Sequence, residues 1–302
     1  MIENAQRALR RIAPERVLSN EPMDRHVSFR AGGRADLFFM PADAQELAAA
    51  LQIGREEGLP TYVIGAGTNL VVPGAGVRGL VIALGDCCSA VVRDGTTIRA
   101  QAGARLSRIA QEAQTAGLAG LEFAAGIPGS LGGGVAMNAG AYGGELADCV
   151  TSAKLLIEGR VETLSGAELE FGYRTSMPLK TGAIVLEAEM ALQPDDCGAI
   201  AERMRELNRR RREKQPLELP SAGSTFKRPE GYFAGALIEQ AGLKGLRVGG
   251  AQVSEKHAGF IVNAGGATGD DILDLIALVQ KRVFEHSGVR LEREVRVLGG
   301  EE

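Results

Sequence analysis

The sequence predicts a mixed α/β fold of the α+β kind, and three observations carry that expectation. Helical segments with apolar spacing and clear start and stop signals alternate along the chain with short β-rich runs. Beyond Gly85 the strands become short and turn-bounded, beginning with a hairpin signal at Asp94-Gly95. Two small-residue loops, Gly65-Ala66-Gly67-Thr68-Asn69-Leu70 and Ile127-Pro128-Gly129-Ser130-Leu131-Gly132-Gly133-Gly134, each follow an apolar run, as expected where backbone N–H groups approach a phosphate.

Taken in order, Asp43 and Glu46 make a capping-box pattern for a helix to Glu57. Leu47, Ala50, Leu51 and Gly54 form its face, and Gly58 and Pro60 end it. Tyr62-Val63-Ile64 is a strand running into the first glycine loop, and Leu80-Val81-Ile82 is another after the Pro73-Gly74 turn. Ala90-Val91-Val92 and Thr97-Ile98-Arg99 flank the hairpin turn. A helix spans Leu106 to Thr115 and stops at Gly117. After the second glycine loop come strands at 153–157 and 184–192 and a turn at Pro194-Asp195. A helix from Ile200 to Lys214 ends in a basic run and is closed by Pro216. Phe260 to Asn263 is a strand. Thr268, with Asp271 three residues on, caps a helix whose stripe is Ile272, Leu275, Ile276, Val279 and Val283, and Gly288 stops it. Leu291 to Leu298 reads as a final strand. Alternation would place Glu292, Glu294 and Arg296 on one of its faces.

With 302 residues, 45% hydrophobic and 24% charged, the chain suits two or three domains and is neither disordered nor membrane-like. A net charge of −4 argues against general nucleic-acid binding. The N-terminus lacks the apolar core of a signal peptide, which places the chain in the cytoplasm. Cys87, Cys88, Cys149 and Cys197 show no C-x-x-C spacing and read as reduced, mostly buried thiols. The isolated His26, His257 and His286 make no metal-ligand pattern, so no metal is expected.

The glycine loops fit neither a Rossmann nor a Walker pattern: Leu70 stands where a third glycine would be needed, and no Gly-Lys-Ser/Thr follows. Either could be an ordinary turn; together they suggest a dinucleotide held by backbone amides. Ser224, in the small polar stretch Ser221 to Pro229, lacks the G-x-S-x-G elbow, so proton donation suits it better than nucleophilic attack. Arg174, beside Tyr173, could hold a carboxylate bidentately or make a surface pair. Glu294 with Arg296 admits the same two readings.

These motifs have a family likeness. Arg30-Ala31-Gly32-Gly33 with Ala35-Asp36, the first glycine loop, Gly126-Ile127-Pro128-Gly129-Ser130-Leu131-Gly132-Gly133, Met137-Asn138-Ala139-Gly140-Ala141-Tyr142-Gly143, Phe171 to Ser176, Ser221 to Lys227, and Leu291 to Val295 follow one another in the order seen in the UDP-N-acetylenolpyruvoylglucosamine reductases. The chain resembles these flavoenzymes of bacterial peptidoglycan synthesis from about residue 20 to 299. The resemblance implies two subdomains that clasp FAD, as in the vanillyl-alcohol oxidase superfamily, and a C-terminal α/β domain covering the substrate. The expected ranges are 1–83, 84–199 and 200–290, with 291–302 returning to the first. It implies NADPH as reductant and UDP-N-acetylglucosamine enolpyruvate as substrate.

By the same resemblance Gly65, Ala66, Gly67, Thr68, Asn69, Leu70, Gly126, Ile127, Pro128, Gly129, Ser130, Gly133, Asn138, Ala139 and Gly140 bind the cofactor. Arg174 and Glu294 sit at the substrate carboxylate, Ser224 is the proton donor, and Tyr173, Lys214 and Arg296 bind substrate. Two positions depart from the pattern: Arg228 stands where some members carry Asn, and Arg293 where Pro is frequent. The short path from Arg174 to Ile184 has no room for the tyrosine-bearing loop of one subgroup, which points to the loop-lacking subgroup. Two other functions compete. An oxidase of the same superfamily would tend to tether flavin through His or Cys, absent from both glycine loops. A silent flavin-binding protein should lack the Arg174, Ser224 and Glu294 set.

Overall fold

The computed structural model describes residues 1–85 and 88–300. Cys87 and the last two residues therefore lie outside the described part. The fold is mixed α/β, as the sequence predicts. Helix α1 (Ile2–Ile12) packs by Ala5 and Leu9 against α2 (Ala44–Glu56) and the first sheet. That sheet has four strands in the order 17–22, 34–39, 77–83, 61–64. The first pair is antiparallel and the other two are parallel, with α2 as the crossover.

Only half of the box expected at α2 forms. Asp43 caps the N–H groups of Gln45 and Glu46, both at 2.9 Å. Glu46 turns away to accept from Ala42 N and to pair bidentately with Arg16 at 2.6 and 2.7 Å. A tertiary cation has outcompeted the local cap, since a charge-assisted fork outweighs one neutral N–H bond.

The second sheet is wholly antiparallel and five-stranded, in the order 160–165, 150–157, 184–191, 97–101, 91–94. The hairpin falls where Asp94-Gly95 signals it, with Gly95 at φ +56°. Against this sheet lie α3 (Leu106–Thr115) and α4 (Leu131–Met137). The second glycine loop is thus shorter than its sequence suggests: Gly132 to Gly134 are helical, because burial of Leu131 and Val135 overrides the weak helix preference of glycine. Helix α5 (Met177–Thr181) fills the path from Arg174 to the strand at Ile184, so no additional loop intervenes.

Helix α6 (Cys197–Lys214) starts three residues before the expected Ile200. Its buried Ile200 and Met204 join the core containing Ile109 and Phe123, so the helix packs with the middle segment rather than with the C-terminal lobe. That lobe contains α7 (Ala234–Gln240), a three-stranded antiparallel sheet (247–248, 251–253, 261–263) and α8 (Gly269–Ser287). The full Thr268/Asp271 capping box forms on α8, Gly288 closes it at φ +72°, and the predicted apolar stripe is buried.

The last predicted strand is mostly absent. Only Arg296–Val297 is a strand, parallel to Leu70–Val71 at the end of the first glycine loop. Residues 292–294 instead run beside the serine loop: Lys227 N donates to Glu292 O at 2.9 Å and Glu294 N to Thr225 O at 2.8 Å. The cysteines also differ from expectation: Cys149 is buried, Cys88 half-buried and Cys197 exposed. No helix among the described residues is long and apolar enough to cross a membrane.

Candidate active site

The two glycine loops meet. A Cβ placed on Gly65 would run into Ser130 Oγ, and one on Gly129 would lie 3.5 Å from Thr68 Oγ1. Among the described residues the backbone N–H groups of Gly65 to Asn69, and those of Gly129 and Ser130, find no acceptor. Gly67 is buried, as is the Ser130 hydroxyl, which has no partner. Unpaired polar groups this close together fit a ligand that accepts hydrogen bonds. Beside them a cavity of about 490 Å³ runs past Phe38, Met40, Ile64, Leu84 and Ser130, with Arg25 and Arg105 at its walls. A cofactor with a diphosphate and a flat apolar moiety fits this cradle. Gly67 makes the turn possible: its φ is +65°, and a Cβ there would meet the His26 carbonyl oxygen.

The chemistry-bearing side chains come together from three segments. Arg174 Nε donates to Glu294 Oε1 at 2.9 Å across 120 positions of sequence. The guanidinium also donates to Gly140 O at 3.0 Å and Asn138 O at 3.4 Å. Arg174 itself holds φ +55°, a conformation costly for a residue with a Cβ and frequent at functional positions. The alternative of a surface ion pair is excluded by burial, since the Arg174 and Glu294 side chains are 22% and 14% exposed. Burial pushes the Glu294 carboxyl above its ordinary range, and Arg174 and then Lys227 pull it back in part. Asn69 ties the first glycine loop to this pair: its Nδ2 donates to Glu294 O at 3.1 Å and its carbonyl accepts from Arg296 N at 3.0 Å.

Ser224 is exposed, next to the Thr225 carbonyl that receives Glu294 N, and its hydroxyl has no partner among the described residues. The arrangement is an exposed hydroxyl on a loop that runs beside a half-buried cation–carboxyl pair. Such a site can bind an anionic group at the arginine and supply a proton from the serine.

Other predicted residues fall in different places. The Asn138 side chain donates to Gly172 O at 3.1 Å and accepts from Ala147 N at 3.0 Å, while its backbone N–H donates to Val135 O at 3.2 Å. It caps α4 in the left-handed region and thereby positions the Arg174 turn. Gly133 lies within α4, Gly126 closes a 3₁₀ turn, and Ala139 and Gly140 lead into a small hairpin whose Gly140 carbonyl holds Arg174. Ile127 and Pro128 lead up to the Gly129-Ser130 end of the loop, and Ala66 lines the cavity. Tyr173 is 53% exposed, and its hydroxyl accepts from Arg228 N at 3.1 Å. Lys214 is the exposed last residue of α6, near enough to His257 to help depress its pKa, although burial is the larger cause.

Sequence reasoning missed Arg211. It packs against Gly126 and near Tyr142, and burial draws its guanidinium below the usual value. Nothing in the charge run singles it out, because only docking of α6 decides which arginine turns inward.

Residues 215–298 match the model of the UDP-N-acetylenolpyruvoylglucosamine reductase C-terminal domain, and residues 35–165 that of an FAD binding domain. A UDP-N-acetylenolpyruvoylglucosamine reductase of Alkaliphilus oremlandii is 50% identical over 299 residues, 98% of both chains. The chain belongs to the UDP-N-acetylenolpyruvoylglucosamine reductase family. A Clostridioides difficile reductase of that name is 48% identical over 95% of both chains. The crystal structure of the reductase from Thermus caldophilus superposes with a TM-score of 0.80 at 36% identity, covering 93% of this chain and 98% of that one. An alkyldihydroxyacetonephosphate synthase shares the fold over 63% of this chain and 40% of its own, with a TM-score of 0.50 at 17% identity. The C-terminal reductase match starts at residue 215, directly after the last residue of α6.

Proposed function

We propose that Arg174, Glu294 and Ser224 carry the reaction of this enzyme, the NADPH-dependent reduction of the enolpyruvyl ether of UDP-N-acetylglucosamine to UDP-N-acetylmuramate. The chain is an FAD-containing oxidoreductase of peptidoglycan precursor synthesis. The chemistry that FAD would supply when bound is hydride transfer from NADPH to the methylene carbon of the enolpyruvyl group. The unpaired N–H groups of Gly65 to Asn69, Gly129 and Ser130, with the Ser130 hydroxyl, would hold its diphosphate.

The carrying observation is the half-buried Arg174–Glu294 pair beside the Ser224 loop. Arg174 binds the substrate carboxylate, where negative charge builds as hydride adds. Glu294 accepts from Arg174 Nε and so fixes the guanidinium toward that carboxylate. Ser224 gives a proton to the ether-bearing carbon beside the carboxylate, so that the hydride on the methylene carbon and this proton form the two C–H bonds that replace the π bond of the C=C. An ordinary hydroxyl is a weak acid, and the adjacent Arg174 lowers the barrier by stabilising the electron-rich form. Tyr173, Lys214 and Arg296 line the approach to substrate. The domain division consistent with the packing of α6 is 1–83, 84–214 and 215–290, with 296–298 returning to the first glycine loop. The cytoplasm, where NADPH and nucleotide sugars are at hand, is the compartment this reading implies.

The test is an anaerobic spectrum of the purified protein. NADPH should bleach the flavin band, and UDP-N-acetylglucosamine enolpyruvate should restore it without oxygen. Recovery only on admitting oxygen would favour an oxidase and overturn the reading.

A further inference from the structure

The turn from Arg25 to Ser28 forms a further wall of the cavity beside the glycine loops. It is fastened to the first of them, since Ser28 N donates to Gly67 O at 3.1 Å. The Ser28 hydroxyl is buried and finds no partner among the described residues, as is true of the Ser130 hydroxyl, and both residues line the cavity. A buried hydroxyl left unpaired is costly, so two of them facing one cavity mark where a ligand accepts. His26 in the same turn is braced on two sides. Its Nε2 lies 2.9 Å from Glu21 Oε1, and its ring stacks on Phe38 with centroids 4.0 Å apart and planes inclined by 30°. Phe38 is fully buried, whereas the His26 side chain keeps 24% of its surface exposed and lines the cavity. The ring that a ligand meets there is therefore the imidazole, oriented in advance and so bound at less ordering cost.

The reacting groups decide which half of the cofactor this wall meets. The flavin ring must lie beside the substrate held by Arg174, Glu294 and Ser224, and none of these three lines the cavity. The first glycine loop spans the distance: Gly65 opens on the cavity, and Asn69 is bonded to Glu294 and Arg296. A diphosphate held by the N–H groups between them carries its flavin at the Asn69 end and its adenosine at the Gly65 end. Adenine is a flat ring that stacks on an imidazole face, and an oxygen of the adjoining phosphate or ribose accepts from a serine hydroxyl.

We propose that His26 is the stacking platform for the adenine of FAD and that the Ser28 hydroxyl donates to an oxygen on the adenosine side of the diphosphate. Glu21 then acts as a positioning residue through His26. The turn thereby makes the chain select FAD over FMN, which carries the same flavin without the adenosine. The proposal rests on the reading of the cofactor as FAD.

The experiment measures the affinity for FAD and for FMN, by equilibrium dialysis of the FAD-loaded full chain and by its exchange with excess FMN. The chains compared are wild type, His26→Leu, His26→Phe, Glu21→Leu, Glu21→Gln and Ser28→Ala. Wild type should bind FAD at least about 10-fold more tightly than FMN. His26→Leu should weaken FAD by about 5- to 100-fold, the worth of one base–aromatic stack, and leave FMN within about 3-fold. His26→Phe keeps a ring and should recover most of that loss. Glu21→Leu should weaken FAD by a smaller factor, and Glu21→Gln, whose amide oxygen still accepts from Nε2, should restore it. Ser28→Ala should weaken FAD by about 3- to 10-fold, the worth of one hydrogen bond, with FMN again within about 3-fold. Equal losses of FAD and FMN in both His26→Leu and Ser28→Ala would mean a merely structural role and overturn the proposal. An unchanged FAD preference, or a wild type that takes FMN as tightly as FAD, would overturn it too. A wild-type chain that binds neither flavin would overturn the cofactor reading itself, a result distinct from these.

Discussion

Replacing Arg174 with methionine removes the cation that faces a buried carboxyl, and the consequence can be bounded from the geometry. Glu294 is 14% exposed and burial already raises its pKa. Its folded value therefore lies above its unfolded one, so its contribution to stability is full at low pH and is lost as pH rises through the folded value. Without Arg174 the folded value climbs further and the carboxyl responds by taking a proton. At pH 7, protonating a glutamate of ordinary pKa, about 4.3, costs about 3.7 kcal/mol, at 1.36 kcal/mol per unit. That is the ceiling on the charge contribution; at pH 5 the same bound is about 1 kcal/mol. Loss of the hydrogen bonds to Asn138 and Gly140 carbonyls adds roughly 1 kcal/mol each, independent of pH.

Urea unfolding of the holoprotein at pH 5, 6 and 7 should show the deficit of Arg174→Met growing with pH by at most about 1.4 kcal/mol per unit. In the double variant with Glu294→Gln the growth should vanish. A deficit equal at pH 5 and pH 7, or one that Glu294→Gln leaves unchanged, would refute the argument that Arg174 compensates a buried charge.

Ser224→Ala should leave flavin bleaching by NADPH intact and slow reoxidation by substrate about 10²- to 10⁴-fold, since an exposed hydroxyl supports no packing but supplies the proton. Stopped-flow traces of the two half-reactions separate the effects, and equal slowing of both would count against the assignment. Gly67→Ala puts a Cβ against the His26 carbonyl at φ +65°, so the loop must shift. The ratio of flavin to protein absorbance after gel filtration should fall, and full retention would show that the loop does not cradle the cofactor. Cys197 is exposed, whereas burial, with Asp148 adding to it, pushes Cys149 up to about 12. Mass-resolved alkylation at pH 8 should label Cys197 in the native protein and Cys149 only after unfolding; early labelling of Cys149 would contradict its burial.

Sequence by itself determined what depends on neighbours in the chain. The Thr268/Asp271 box, the hairpin at Asp94-Gly95, the Gly288 stop and the stripe from Ile272 to Val283 are set by interactions within a few residues, and each is present. The motifs also determined the family, because their order along the chain is itself a linear property. Tertiary structure decided the rest, wherever a distant partner outbid a local preference. Glu46 left its cap for Arg16, Gly132 to Gly134 became helical under a buried Leu131 and Val135, and residues 291–295 gave up a strand to run beside the serine loop. The site follows the same division. Its residue types were legible in sequence, but the meeting of Gly65 with Ser130, of Arg174 with Glu294, and of Tyr173 with Arg228 was not. Those contacts span 65, 120 and 55 positions, and only the burial of a common core brings such distant residues together.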